Sequence, residues 1–272
     1  MNKTMHLISN AHLDPIWQWE WEEGCASAVA TFRCAARFCR EFDNYIFCHN
    51  EALIYRWVEE YDPALFREIR ELVRLGKWHI MGGWHVQPDC NMPSGEAFVR
   101  QITEGRRYFR EKFGVEPTTA INFDPFGHTR GLVQILAGTG YDSYIFCRPH
   151  EGLCHLPAET FRWVGYDGSS VIAQRSQTGY STALGNAMKK IRPTTEALTD
   201  AAPLGFCLWG VGNHGGGPSR EDIRAINAFM EEAKAEGVTV LHSTPEAYFA
   251  DVRAEAAAGT RVLPEHHGDL TA

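Results

Sequence analysis

The sequence contains 272 residues, of which 44% are hydrophobic and 22% are charged, a balance typical of a globular protein with one large or two small domains. Its net charge of −8 is spread along the chain without a long run of either sign. This distribution excludes the basic stripe of a nucleic-acid-binding protein, so we expect no nucleic acid among the partners.

Three features of the sequence bear on the cellular location. No apolar stretch reaches the roughly 18 residues that a membrane span requires, and we therefore expect no membrane partner. The N-terminus lacks the apolar region and the cleavage site of a signal peptide. None of the eight cysteines forms a CxxC pair, which disfavours a cysteine-ligated zinc site. Together these features predict a cytoplasmic protein with reduced thiols.

Short apolar runs alternate along the chain with amphipathic segments. The runs predicted as strands are 5–12, 45–50, 78–83, 119–124, 141–147, 206–212 and 239–243. The clearest predicted helices are 51–75, 96–113 and 219–236. Ser94 and Ser219 are the expected N-caps of the last two helices, and Gly114 and Gly237 their expected ends. The first of the three is expected to break at Asp62, which precedes a proline.

The strand–helix alternation predicts an α/β fold with a parallel sheet and crossover helices. Seven strands suit an irregular TIM-like, seven-stranded parallel β/α barrel, and a doubly wound open sheet is the alternative. A small β-hairpin insertion is predicted around 160–182, where two apolar runs flank a turn sequence. We predict that the barrel domain covers 1–258 and that 259–272 begins a following element that is truncated.

The segment after the first predicted strand carries a histidine and an aspartate. His12 and Asp14 are two positions apart in an extended segment, so both side chains point to the same side. An imidazole and a carboxylate directed at one point suit a divalent metal such as zinc. The alternative is a histidine that is simply hydrogen-bonded to a neighbouring carboxylate.

The fourth predicted strand ends at an aspartate. Asp124 follows an apolar run and precedes a proline, and a carboxylate there would be costly to bury without a partner. A metal ion or a substrate would be such a partner, whereas an N-cap of the helix beginning near Thr129 is the alternative. His128 is expected to support a metal ligand rather than to be one.

Two glycine-containing loops follow other strands. Trp84 follows a pair of glycines, which is typical of a platform for a sugar ring, although this tryptophan could equally belong to the core. The loop over 210–218 is rich in glycine but matches neither a Walker loop nor a dinucleotide-binding motif. Asn213 and His214 are the polar side chains that this loop would present.

Three motifs in order along the chain resemble one family of enzymes. They are His-Leu-Asp-Pro-Ile-Trp at 12–17, Gly-Gly-Trp with a following Pro-Asp at 82–89, and Asp-Pro-Phe-Gly-His at 124–128. They resemble the N-terminal catalytic domain of the glycoside hydrolase family 38 α-mannosidases. The resemblance runs from about residue 5 to the C-terminus and includes residues 91–100.

This resemblance implies a fold, a metal and a mechanism. The family's fold is a seven-stranded β/α barrel, followed by a helical bundle and large β-domains that we expect to be missing from this chain. The family's zinc is held by residues that correspond to His12, Asp14 and Asp124 and by a later histidine, expected here beyond residue 272. Asp124 would also be the nucleophile of a retaining hydrolysis of terminal α-mannosides.

The resemblance also implies which residues bind the substrate, a mannose-containing oligosaccharide or glycoside. The expected sugar-binding residues are Trp17, Trp84, Asp89, Arg148 and Asn213. The family's acid/base aspartate lies in the glycine-rich loop after the sixth strand, where this chain has Asn213 and His214. Since an asparagine cannot donate a proton usefully, His214 becomes the acid/base candidate.

Two other functions compete with this prediction. A polysaccharide deacetylase also places histidines and aspartates around zinc in an irregular β/α barrel, but it would require an HxxxH ligand pair that no strand end provides. The other is an inactive truncated fragment that binds sugar or nothing. We expect such a fragment to associate through exposed apolar surface, and homo-oligomerisation of the full-length enzyme is left open.

Overall fold

The structure, a computed structural model, describes residues 3–212 and 216–271 of the chain. The chain divides into two compact units, each built from three separate segments. The first unit contains Met1–His49, Ile54–His79 and Tyr180–Tyr248, and the second contains Asn50–Leu53, Ile80–Gly179 and Phe249–Ala272. None of the helices in the described ranges is long and apolar enough to cross a membrane.

Strands and helices alternate through most of the chain. The strands are β1 (Lys3–Ser9), β2 (Phe47–His49), β3 (Trp78–Ile80), β4 (Thr119–Asn122), β5 (Ser143–Phe146), β6 (Thr160–Val164), β7 (Ser170–Arg175), β8 (Leu204–Trp209), β9 (Val238–His242) and β10 (Glu265–His266). The helices are α1 (Trp21–Glu41), α2 (Ala52–Tyr61), α3 (Pro63–Arg74), α4 (Gly95–Phe113), α5 (Leu132–Gly138), α6 (Met188–Glu196), α7 (Arg220–Ala235) and α8 (Pro245–Ala257).

The first sheet is built around β1. Its order is β3-β2-β1-β8, and β9 pairs with β1 as well. The pairs that β1 makes with β2, β8 and β9 are all parallel. β1 is buried continuously from Met5 to Ser9, and its apolar side chains Met5, Leu7 and Ile8 are fully buried. This is the expected pattern for a central strand of a parallel sheet that is covered on both faces.

The second sheet has the order β10-β6-β7-β5-β4. β4, β5 and β7 run parallel, whereas β6 and β7 form an antiparallel pair. The core of this unit contains the aromatic side chains Phe98, Tyr144, Phe146 and Trp163. The short strand β10 pairs with β6, so part of the predicted following element, 259–272, adds an edge to this sheet. The domain boundary at 258 stays a prediction.

The predicted closed barrel is wrong, because the strands of the described residues form two five-stranded sheets and neither sheet closes on itself. All seven predicted strands are present, although most are shorter than predicted. The antiparallel hairpin predicted within 160–182 is also present, as β6 and β7. Its antiparallel strand interrupts the parallel order, and hydrophobic periodicity does not specify lateral strand order.

The helix ends follow the predicted capping residues. Ser94 accepts a hydrogen bond from the amide of Ala97 at 3.3 Å, and Gly114 ends α4 in the left-handed region at φ 71°. The break in the 51–75 segment falls at Asp62, whose Oδ1 accepts from the Leu65 amide at 3.0 Å. These contacts satisfy backbone groups that a helix end would otherwise leave without partners.

Gly105 in the middle of α4 permits a close approach between the helix and a loop. A Cβ atom there would overlap the carbonyls of Gly83 and Trp84 and would lie 2.6 Å from the His85 nitrogen. We expect Gly105→Ala to lower the free energy of unfolding by roughly 3 kcal/mol, because these are backbone atoms that cannot move aside. Urea denaturation of the purified variant measures this change.

Gly138→Ala is the matched control, because a Cβ at this helical glycine would meet no heavy atom within 4 Å. In this control the free energy of unfolding is expected to stay the same or to rise by up to about 1 kcal/mol, because alanine has a higher helix propensity than glycine. Equal effects of the two substitutions would contradict the close approach at Gly105.

Candidate functional site

In the first unit, the chain leaves β1 and brings His12 and Asp14 together. His12 is buried, and its Nε2 lies 3.3 Å from Oδ1 of Asp14, whose side chain is partly exposed. Two ligands of a tetrahedral zinc ion, at bond lengths of about 2.0–2.1 Å, are separated by about 3.3–3.4 Å. The spacing of this pair is therefore compatible with a shared metal ion.

The surroundings of His12 come from distant parts of the sequence. The Tyr180 ring lies 4.3 Å from the His12 ring, measured between centroids. Asn10 donates from Nδ2 to the carbonyls of Tyr180 and Trp209, at 3.1 Å each. The contact between Tyr180 and His12 was not predicted from the sequence. The two residues are 168 positions apart, and no sequence pattern indicates such a contact. These contacts hold the C-terminal ends of β1 and β8 together and restrict the orientation of the His12 ring.

Two glycines of the loop after β8 are required by this packing. Gly210 has a φ of 122°, and a Cβ there would overlap the Asn10 carbonyl oxygen. A Cβ at Gly212 would lie 3.2 Å from the His12 Cβ. The glycines at 210 and 212 therefore let the loop approach the segment that carries His12, which is a reason for their presence other than anion binding.

In the second unit, Asp124 lies just beyond the end of β4. Its Oδ1 lies 2.9 Å from Nη2 of Arg148, and each side chain is about one-third exposed. The Arg148 guanidinium also lies over the Phe126 ring, 4.9 Å from the centroid. Asp124 is not a helix cap, because α5 begins after Gly131. The alternative of an N-cap is therefore wrong.

His128 supports Arg148 from inside the core. Its Nε2 lies 2.8 Å from the Arg148 carbonyl and its Nδ1 lies 2.7 Å from the Tyr144 hydroxyl. Because a carbonyl only accepts, Nε2 carries the proton and Nδ1 accepts from Tyr144. Burial lowers the pKa of His128 to about 4, so the ring is neutral near pH 7. His128 therefore positions the backbone of the residue that pairs with Asp124.

The remaining predicted sugar-binding residues differ in their exposure. The Trp17 side chain is 60% exposed, whereas Trp84 is fully buried, which fits the alternative that it belongs to the core. Asp89 is exposed, and its Oδ1 accepts from the amides of Asn91 and Met92. The predictions for Asn213 and His214 lie outside the described residues.

His12 and Asp14 offer an imidazole nitrogen and a carboxylate oxygen in the first unit, and Asp124 offers a carboxylate in the second. One imidazole nitrogen and two carboxylate oxygens are ligands that zinc accepts.

A model of the family 38 glycosyl hydrolase N-terminal domain matches residues 2–269 of the chain. α-Mannosidase G of Dictyostelium discoideum is 28% identical over 245 residues, which are 89% of this chain and 22% of that protein. α-Mannosidase 2C1 of Homo sapiens is 29% identical over 220 residues, which are 80% of this chain and 21% of that protein. The chain thus spans about a fifth of the length of these curated relatives.

Solved structures share the fold. An α-mannosidase from Enterococcus faecalis superposes with a TM-score of 0.81 at 18% identity, over 99% of this chain and 31% of that one. A protein from Mycobacterium smegmatis assigned to the polysaccharide deacetylases superposes with a TM-score of 0.64 at 12% identity. The superposition covers 97% of this chain and 94% of that one. At such identities the similarity establishes the fold alone, and the fold does not separate these two activities.

Proposed function

Because the chain belongs to the N-terminal domain family of the family 38 glycosyl hydrolases, we propose that it is the catalytic domain of a zinc-dependent retaining α-mannosidase. Its substrate is a glycoside or oligosaccharide with a terminal α-mannose. The match of the family model over residues 2–269 is the observation that carries this proposal. The identities of His12, Asp14 and Asp124 support it, because these residues stand in the motifs that resemble the family's.

In this proposal His12, Asp14 and Asp124 hold the zinc ion. The bound ion supplies a Lewis acid that orients the sugar through its hydroxyl groups. The buried imidazole of His12 is held by Tyr180 and the partly exposed Asp14 lies beside it, so the pair presents its donor atoms with little freedom of orientation. Such restriction favours a defined metal geometry.

Asp124 is the proposed nucleophile. Its carboxylate attacks the anomeric carbon of the mannose, the glycosidic bond breaks, and a glycosyl ester forms on Asp124. Water then hydrolyses this ester, and the two inversions give net retention. Arg148 and the Phe126 ring beneath it fix the direction of the Asp124 carboxylate. His214 is the proposed acid that protonates the leaving oxygen and the base that activates the water.

The proposal extends to the other substrate contacts and to the location. Trp17 offers an exposed aromatic face to the sugar, and Asp89 and Asn213 offer hydrogen bonds. A cytoplasmic location is proposed because the structure joins none of the eight cysteines in a disulfide bond, as is usual where thiols are kept reduced. The proposed extent of the catalytic domain is 1–258.

Zinc content is the first test. We expect about one zinc ion per purified chain, and its loss in Asp14→Ala, because this variant lacks one of the proposed ligands. Elemental analysis after dialysis measures the stoichiometry. Asp43→Ala is the matched control, because Asp43 is fully exposed and pairs with Lys77 in the same unit. Equal zinc in the two variants would contradict the ligand set.

Hydrolysis of an aryl α-mannoside by the zinc-loaded chain tests the activity. Turnover that a chelator abolishes and zinc restores supports the proposal. A chain that holds zinc and binds mannose without turnover would instead be a sugar-binding domain. Release of acetate from an acetylated sugar in place of glycoside hydrolysis would support the deacetylase.

A further inference from the structure

Glu51, in the second unit, has an unusual backbone and an unusual environment. It lies between β2 and α2 with a φ of 67°, and its side chain is only 3% exposed. A left-handed conformation is unfavourable for a residue with a Cβ, and a buried carboxylate is costly unless it is hydrogen-bonded. Two such costs in one residue indicate that the surroundings enforce its position, which is common near functional sites.

The surroundings of Glu51 anchor it on the loop that follows β3. The amides of Ala52 and Leu53, in the first turn of α2, donate to the carbonyls of Trp84 and His85 at 2.9 and 3.0 Å. The Glu51 carboxylate accepts from the Gln87 amide at 3.1 Å and from Gln87 Nε2 at 3.4 Å. The backbone and the side chain of Gln87 are thus both held by one carboxylate oxygen.

Gln87 also forms a hydrogen bond at the end of β4. Its Oε1 accepts from the amide of Phe123 at 3.0 Å. β4 ends at Asn122, whose partner in the parallel ladder with β5 is Phe146, so Phe123 is the first residue past the paired strand. A buried amide there needs a partner that the sheet no longer provides. The next residue along the chain is Asp124.

We propose that Glu51 and Gln87 are positioning residues, which fix the backbone at Phe123 and thereby the direction of Asp124. The effect of this positioning on catalysis rests on the proposed function. Glu51 orients the Gln87 amide so that Nε2 faces the carboxylate and Oε1 faces the Phe123 amide. A charged acceptor makes stronger hydrogen bonds than a neutral one, which accounts for a carboxylate at this buried position.

Amide hydrogen exchange at Phe123 tests the hydrogen-bond chain without requiring activity. We expect Gln87→Met to raise the exchange rate of this amide at least about tenfold, because methionine has a similar length but accepts no comparable hydrogen bond. Gln101→Met is the matched control: Gln101 accepts from the Val86 amide in the same loop, whereas the Phe123 amide donates to Gln87. Equal exchange at Phe123 in the two variants would overturn the proposal.

Glu51 is tested by a pair of substitutions. Glu51→Ala is expected to raise Phe123 exchange as Gln87→Met does, whereas Glu51→Gln keeps an acceptor oxygen and is expected to change it less than about threefold. If the melting curve of Glu51→Ala shows that this variant does not fold, Glu51→Met, which keeps the length of the side chain and removes the acceptor, is compared with Glu51→Gln in its place. Unchanged exchange in Glu51→Ala would overturn the role of Glu51.

Kinetics separate positioning from a purely structural role. In zinc-loaded protein we expect Gln87→Met to lower kcat for an aryl α-mannoside by about 10²-fold with little change in KM, as a small displacement of a reacting group does. An unchanged kcat together with faster Phe123 exchange would overturn the positioning role. If the parent chain itself has no turnover, the proposed function fails, and the inference then depends on whether Gln87→Met weakens zinc binding relative to Gln101→Met.

Discussion

Replacement of Asp124 by asparagine is expected to lower the rate of aryl α-mannoside hydrolysis by roughly four orders of magnitude or more, as loss of a nucleophile does in other covalent mechanisms. An amide is a poor nucleophile and cannot form the glycosyl ester. The change keeps the size of the side chain and leaves an oxygen that can still accept from Arg148, which lies 2.9 Å away. Initial rates with substrate in excess measure the effect.

Because Asp124 is also a proposed zinc ligand, the variant must be assayed at saturating zinc with its metal content determined in parallel. Asp167→Asn is the matched control: Asp167 lies in the exposed turn of the β6–β7 hairpin of the same unit. A fluorinated mannosyl fluoride that traps the glycosyl ester should label Asp124, as peptide mass spectrometry would reveal. Activity within tenfold of the parent chain, or a label on another carboxylate, would rule out Asp124 as the nucleophile.

Acidification is expected to destabilise the protein steeply between pH 6 and pH 5. Burial lowers the pKa of His49 to about 3 and that of His128 and His242 to about 4. In the unfolded chain each of these histidines titrates near pH 6.5, so in this window the unfolded state binds more protons than the folded state. Stability is therefore fully present above pH 6.5 and is lost as the pH falls.

Each histidine contributes up to about 1.4 kcal/mol per pH unit to this loss, and three together contribute roughly 3–4 kcal/mol between pH 6 and pH 5. This is a large part of the roughly 5–15 kcal/mol that stabilises a typical domain. Urea denaturation at several pH values measures the slope. A chelator should be present throughout, because metal binding carries a pH dependence of its own.

His242→Gln isolates one of these contributions. The variant is expected to reduce the slope by about one third whatever its stability at pH 7, since it removes one group that takes up a proton on unfolding. His155→Gln is the control, because the His155 side chain is 83% exposed. A free energy of unfolding that stays constant from pH 6 to pH 5 would contradict burial of these rings as neutral groups.

Local signals in the sequence predicted local structure well. Ser94 before an apolar helical face predicted a helix start, because a cap acts through the next three residues alone, and Asp62 before a proline predicted a helix break. Several strands were predicted too long, since Phe123 and Val211 continue the apolar runs but belong to the loops. Hydrophobic periodicity could not predict whether the strands close into a barrel. The lateral order of the strands depends on pairing between distant parts of the chain.

The candidate site residues were proposed from short motifs in the sequence. The spacing of His12 and Asp14 and the position of Asp124 at a strand end were sufficient to single them out. The contacts that position them were not predictable, because Tyr180 and Arg148 meet them through tertiary structure. Glu51 had no signal of its own, since its conformation depends on the loop that it contacts.

The interleaving of the two units has a consequence for synthesis on the ribosome. β1 must pair with β9, which ends at His242, so the strand emerges long before its partner exists. At translation rates of about 5–20 residues per second, this delay is about ten to fifty seconds. Until β8 and β9 have been made, the apolar Leu7 and Ile8 lack the two strands that pair along most of β1 and are targets for chaperones. Yield in a foreign host should therefore depend on chaperone supply and on elongation rate.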